Sequence, residues 1–126
     1  MAGRRNVIAV VDNDRQLREA LALLLSVLGY RTELFASAEQ FLSAAATSEA
    51  ACLIVETQLS DISGVELGRQ LAATGFDFPI IFLTRSCDEA LERQAMDLGC
   101  VAYLHKSFLA DRLIEAVEKA TGSNVQ

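Results

Sequence analysis

No apolar run in this sequence approaches the roughly 20 residues that a helix needs to cross a bilayer. Residues 1–6 lead into an apolar run, 7–11, that is too short for the core of a secretory signal. The reading is a cytoplasmic protein with no membrane attachment. Cysteine is scarce and scattered. Cys52, Cys87 and Cys100 form no C-x-x-C pair, and with a single histidine they match no zinc-ligand spacing. In a reducing compartment no disulfide framework is expected. Cys52 and Cys100, in or beside apolar segments, read as small core residues. Basic residues are outnumbered, 11 Lys and Arg against 17 Asp and Glu for a net charge of −6. That balance argues against a sequence-independent grip on nucleic-acid phosphates, and Arg4-Arg5 reads as a short solvated tail. Neither G-x-G-x-x-G nor G-x-x-x-x-G-K occurs, so the phosphate-cradling loops of common nucleotide folds are missing. There is no internal repeat, linker or low-complexity segment.

What is present is an apolar majority, 52% of residues against 22% charged. This composition suits one globular domain over residues 1–126, with a core from 6 to 119 and tails at 1–5 and 121–126. Short β-branched runs at 7–11, 51–55, 80–83 and 101–105 read as buried strands. Residues 30–35 mix polar and apolar side chains, as an edge or half-buried strand would. Between them lie segments with helical spacing: 15–28, 38–46, 64–73, 88–98 and 109–120. Asp14 and Ser37 precede two of these as cap residues, and Gly29, Gly75 and Gly99 follow three of them as stops. Pro79, the only proline, opens a strand, where a missing N–H costs least. Five strand–helix units imply a parallel sheet covered by helices on both faces. The fold expected is a single three-layer (βα)5 domain with the flavodoxin-like strand order 2-1-3-4-5.

Four apolar runs end in polar groups: Asp12-Asn13-Asp14, Glu56, Thr84, and His105-Lys106. In an open parallel sheet the strand tips at the topological switch point form the functional crevice. With the first and third strands adjacent, Asp12, Asn13 and Glu56 come together, an oxygen-donor set suited to a hard cation such as Mg²⁺. Thr84 and Lys106 at neighbouring tips suit an oxyanion, one as hydroxyl donor and one as point charge. A polar residue at any one strand tip is usually a solvated loop start; four in this order carry the argument. His105 has no Ser or Cys partner in a recognisable triad. Gly64 reads as a helix start.

From about residue 6 to residue 119 the chain resembles the response-regulator receiver family, the phosphoacceptor domains of two-component signalling. The resemblance rests on Val10-Val11-Asp12-Asn13-Asp14, Leu53-Ile54-Val55-Glu56, Ser63-Gly64-Val65-Glu66-Leu67, Ile81-Phe82-Leu83-Thr84 and the stretch from Gly99 to Phe108. It implies a CheY-like fold and signalling by phosphotransfer rather than enzyme catalysis. It also implies a histidine kinase or signalling protein as partner, with no direct contact to nucleic acid. Asp12 falls on the first of the family's two metal-site acids and Asn13 on the second. Glu56 falls on the phosphorylated Asp, Thr84 and Lys106 on the two residues that contact the phosphoryl group, and Tyr103 on the aromatic whose rotamer reports activation. Tyr103 also reads as an ordinary half-buried strand aromatic. The family's output surface corresponds to about residues 88–119, whose mixed charges suit a homodimer or another protein.

The departures matter more than the matches. Glu56 keeps a carboxylate but extends it by one methylene, and an acceptor misplaced by about 1 Å can lose about 100-fold in rate. Asn13 removes a negative charge, so Mg²⁺ should bind weakly. Asp14 either compensates for that loss or caps the following helix. Ser60 and Ser107 stand where the family has prolines. A cis bond before Ser107 would cost about 2.5–4 kcal/mol. The longer carboxylate can instead reach Lys106 or Thr84, either as a plain ion pair or as a hold on an active-like state. Three functional readings follow: a receiver with a degenerate phosphorylation site that acts by binding proteins, a working Mg²⁺-dependent phosphoacceptor or phosphomimetic variant of one, and, remotely, a flavodoxin-like cofactor binder or enzyme.

Overall fold

The computed structural model describes residues 6–122, apart from the side chains of Phe108, Ala110 and Asp111. The terminal segments read as tails lie outside the described residues, except for Thr121, which is helical, and Gly122, which turns out of the helix. Five strands, β1 (Val7–Val11), β2 (Arg31–Phe35), β3 (Ala50–Glu56), β4 (Ile80–Thr84) and β5 (Ala102–His105), pair in parallel in the order β2-β1-β3-β4-β5. The helices between and after them are α1 (Arg15–Val27), α2 (Ala38–Ala44), α3 (Gly64–Ala73), α4 (Glu89–Asp97) and α5 (Leu109–Thr121). Single turns of 3₁₀ helix follow α2 at Ala45–Thr47 and precede α5 at Lys106–Phe108.

Alternation along the strands divides the core in two. Ala9, Val11, Leu53, Val55, Ile80 and Phe82 face α2, α3 and α4, where Phe41, Leu67, Leu71 and Ala95 bury them. Ile8, Val10, Cys52, Ile54, Ile81, Leu83 and Leu104 face the opposite way, onto Leu21 and Leu25 of α1 and Leu113, Ala116 and Val117 of α5. Only the second set extends into the residues that carry charge at the strand tips, a point that fixes the site below.

The caps follow the sequence. The Asp14 carboxylate accepts from the N–H groups of Gln16 and Leu17, and Ser37 Oγ accepts from Gln40 N. Gln40 returns the bond, its Oε1 accepting from Ala36 N at 2.8 Å. A second cap on α2 comes from a distance: Asp61, in the loop after β3, accepts from Ala38 N and Glu39 N. Gly29 ends α1 at φ 96°, a left-handed conformation that glycine adopts without strain. Gly64 is required for another reason. A Cβ there would collide with the Glu56 carbonyl oxygen and press on Val55 Cγ1. The loop from β3 to α3 is therefore folded back tightly against the strand tip, with Gly64 N donating to Thr57 O at 2.9 Å.

Most boundaries differ from the sequence expectation by a residue or two, and three elements matter here. β3 begins one residue earlier and includes Glu56, and β4 runs on to Thr84, because backbone pairing continues past the last apolar side chain: Glu56 is level with Leu83 and Thr84 with His105. The helix expected over 38–46 gives way to a 3₁₀ turn after Ala44. Among the described residues there is no cis peptide bond, so the Lys106-Ser107 bond is trans.

Candidate functional site

Strand pairing brings the tips together before any side chain is considered. Val11 is level with Val55, so Asp12, one residue on, is level with Glu56. Side-chain alternation then sorts the tips by face. Asp12, Glu56 and Lys106 share the parity of Val10, Ile54 and Leu104 and emerge on the α1/α5 side. Thr57, Thr84 and Tyr103 share the parity of Val55 and Phe82 and emerge on the α2–α4 side.

On the first side the three charged groups make one cluster. Lys106 Nζ lies 3.1 Å from Asp12 Oδ2 and is also ion-paired with Glu56 Oε1. The side chains are 9%, 1% and 4% exposed, respectively, so all three charges are out of water. Buried carboxylates need every lone pair engaged. Asp12 Oδ1 accepts from Asp14 N at 2.9 Å. Glu56 Oε2 accepts from Gln58 N at 2.8 Å and from the Thr57 hydroxyl at 3.2 Å. The Asp12 backbone is fixed as well, its N–H on Phe35 O and its carbonyl on Arg18 Nη1 at 2.7 Å.

On the second side a chain of hydroxyls connects the acid to β4. The Thr57 and Thr84 oxygens lie 2.9 Å apart, and Thr84 Oγ1 accepts from Ser86 N at 2.9 Å. A hydroxyl has one hydrogen. With that of Thr57 on the Glu56 carboxylate, the hydrogen between the two threonines comes from Thr84. The order is Ser86 N–H to Thr84, Thr84 to Thr57, Thr57 to Glu56, each bond polarising the next. Glu56 thus touches Lys106 directly and Thr84 only through Thr57, a residue that reading the sequence did not single out. Its signal was available: a hydroxyl directly after a strand-tip acid, of opposite parity.

Tyr103 turns inward from β5. Its ring packs against the α2–α4 core, and its hydroxyl oxygen is buried with no hydrogen-bond partner among the described residues. Burial pushes the phenol above its ordinary pKa; the carboxylates of Glu92, Asp88 and Glu56 add to this, and the nearby Thr84 hydroxyl opposes it without closing a bond of ordinary geometry. His105 does meet a serine. Its Nδ1 accepts from Ser107 N at 3.2 Å, so the ring proton is on Nε2, which donates to Arg85 O at 3.2 Å. The imidazole thereby caps the turn that carries Lys106. Asn13 is exposed on the bend after β1. Asp14 caps α1 and pairs with Arg85 at 3.3 Å. Beside the cluster is an open cleft of about 650 Å³ bordered by Asp14, Arg85, His105 and Lys106.

These strand tips, this order and this register have relatives. The sequence matches the response regulator receiver domain over residues 8–118. The chain belongs to the response regulator receiver domain family. The response regulator protein TodT of Pseudomonas putida is 33% identical over 120 residues, 95% of this chain and 53% of TodT. The transcriptional regulatory protein FixJ of Bradyrhizobium diazoefficiens is 34% identical over 113 residues, 90% of this chain and 55% of FixJ. The chain spans about half the length of the curated relatives it matches. Among solved structures, FixJ-N superposes with a TM-score of 0.84 at 31% identity, covering 98% of each chain. The signal receiver domain of an HD domain-containing protein from Pseudomonas fluorescens superposes with 0.87 at 27%, covering 95% of this chain and 97% of that one.

Receiver domains act in two-component signalling with histidine kinases, and typically bind Mg²⁺ beside the phosphorylated residue. In this receiver the donor set does not fit the metal. The two carboxylate oxygens that face each other, Asp12 Oδ2 and Glu56 Oε1, both hold the Lys106 ammonium. Asn13, beside Asp12, is an exposed amide, and Asp14 is committed to Arg85 and α1. Among the described residues no three acidic, histidine or cysteine side chains converge.

Proposed function

We propose that this receiver domain has a degenerate phosphorylation site and signals by binding other proteins, without catalysing a reaction. One observation carries the reading: the Glu56 carboxylate is buried and already held by an ammonium, a hydroxyl and a backbone N–H. Attack on a phosphodonor needs a free carboxylate oxygen in line with phosphorus. Here Oε1 is ion-paired, Oε2 accepts two hydrogen bonds, and among the described residues no metal-binding trio supports an incoming phosphoryl group. The same contacts offer a substitute for that group. A negative oxygen touches Lys106 and, through Thr57, Thr84, the two residues that the family resemblance assigns to phosphoryl contact. The inward Tyr103 ring supports an active-like state held without chemistry.

The surface we assign to partners is α4, β5 and α5. The exposed charges on either side of β5 are mixed, with Asp88, Glu89, Glu92 and Arg93 on one side and Arg112, Glu115 and Lys119 on the other, so that acids predominate on α4 and bases on α5. A two-fold axis along β5 would set α4 of one copy against α5 of the next, the self-complementary arrangement of an isologous dimer. A histidine kinase remains the upstream partner that the family implies.

The test is chemical. Incubated with acetyl phosphate and Mg²⁺, the full chain should show no added phosphoryl mass, and Glu56→Asp, which withdraws the carboxylate from Lys106, should gain one. A stoichiometric labile adduct on Glu56 of the parent chain would overturn the proposal in favour of a working phosphoacceptor.

A further inference from the structure

Helix α1 lacks a polar outer face over its second half. Residues 20–28 read Ala-Leu-Ala-Leu-Leu-Leu-Ser-Val-Leu, with no charge and a single hydroxyl. Leu21 and Leu25 are buried, and Leu17 and Leu24 pack beside them on the core. A surface helix is polar on the side away from its core, and one that is apolar all round is covered. Here Leu23 is 69% exposed and Val27 77%. The excess is local. Five large apolar side chains stand exposed among the described residues, and Leu23, Val27, Leu28 and Leu34 are four of them. Leu34 is level with Val10, so it lies on the α1 side of the sheet edge.

The spacing on α1 defines what fits it. Gln16, Ala20, Leu23 and Val27 are all exposed, at intervals of four, three and four. That is the seam by which one helix interlocks with another. A second α1 running antiparallel matches it in shape and charge. Its layers set Ala20 of each copy against Leu23 of the other, small against large, with Gln16 against Val27 at the ends. Glu19 falls beside Ser26 of the other copy. Arg15 comes to the other copy's C-terminal carbonyls, which have no basic residue of their own in the last turn. A parallel pair would instead set Arg15 on Arg15 and Glu19 on Glu19.

We infer that the outer face of α1 is a self-association seam, which pairs antiparallel with α1 of a second copy of this chain. A single helix seam falls below the roughly 1,200 Å² of a standard interface, so the pair is weak and reversible. It is a different surface from α4, β5 and α5, and its response to salt differs too. Each copy carries a net charge of −6. Salt screens the repulsion between copies and leaves an apolar contact intact, so association through α1 strengthens with salt. Pairing of acids on α4 with bases on α5 would weaken.

The experiment is sedimentation equilibrium of the full chain up to about 2 mM, at about 0.05 and about 0.5 M NaCl, which span strong and weak screening. The parent should approach twice the monomer mass with a Kd of about 0.1–1 mM, the regime of a small interface. Association should be at least about twofold tighter at the higher salt. Leu23→Glu, which places an acid in the central layers, should weaken it at least about tenfold while helix content by circular dichroism is unchanged. Should Leu23→Glu lose helix content, Val27→Glu is read in its place. Met96→Glu, on the exposed apolar residue of α4, should associate as the parent does. A parent that is monomeric throughout, association that weakens with salt, a folded Leu23→Glu that dimerises like the parent, or a dimer lost in Met96→Glu would each overturn the inference.

Discussion

Glu56 shows how one methylene redirects a site. The Glu56 carboxylate reaches Lys106, and the low exposure of both makes the pair consequential. By contrast, Arg15 and Glu19 pair at 3.0 Å with side chains 82% and 62% exposed. Such a pair contributes about 0–1 kcal/mol, so distance alone does not rank ion pairs. The cysteines make the same point about burial. Desolvation pushes the Cys52 thiol up to about 12 from an ordinary 9.0, whereas Cys87 is exposed. A thiol reagent at neutral pH should label Cys87 at once and Cys52 only after unfolding. Equal labelling of the two in native protein would contradict the packing described. Because the folded state holds the Cys52 proton more tightly than the unfolded chain, its contribution to stability falls as pH rises from 9.0 towards about 12.

At the scale of elements, local signals were legible and distant ones were not. Ser37 and Asp14 announce their helices because a cap acts within three residues. Asp61 lies 22 residues beyond Glu39 and caps the same helix as Ser37, which no local pattern could reveal. Burial is the largest single influence on the Asp61 carboxyl and pushes it up. The N–H groups of Glu39, Ile62 and Ala38 together outweigh that and hold it below its usual 3.8. A depressed carboxyl stabilises fully above its unfolded value, and that contribution is lost as pH falls through the folded value. Asp61→Ala should cost about 1 kcal/mol near neutral pH, read by chemical denaturation, and the difference from the parent should shrink towards acid. A cost that persists unchanged at low pH would mean that the loop, not the carboxylate, supports α2. The strand ends were misplaced for a related reason: apolar runs mark where side chains are buried, whereas Glu56 and Thr84 continue the backbone ladder after apolar character has ended.

At the scale of the molecule, the architecture and the meeting of Asp12, Glu56 and Lys106 could be read from the sequence. Near-continuous apolar strands alternating with helices leave few topologies, and the adjacency of β1 and β3 follows from the order. The division of the tips between two faces was also implicit in the two-residue period. Thr57, which contacts both Thr84 and Glu56, was the residue that reading did not single out. The shape of the turn after β5 was not legible, because the His105 cap depends on where Arg85 arrives from another strand. The measurement that bears most directly on this account is a double-mutant cycle on folding stability, using Glu56→Gln, Lys106→Met and both together. The account predicts a loss of about 3–5 kcal/mol for Lys106→Met alone, because it strands buried carboxylates. It also predicts a coupling of about 1–3 kcal/mol between the two sites. Effects that add to within about 0.5 kcal/mol would show that Lys106 does not hold Glu56, contradicting it.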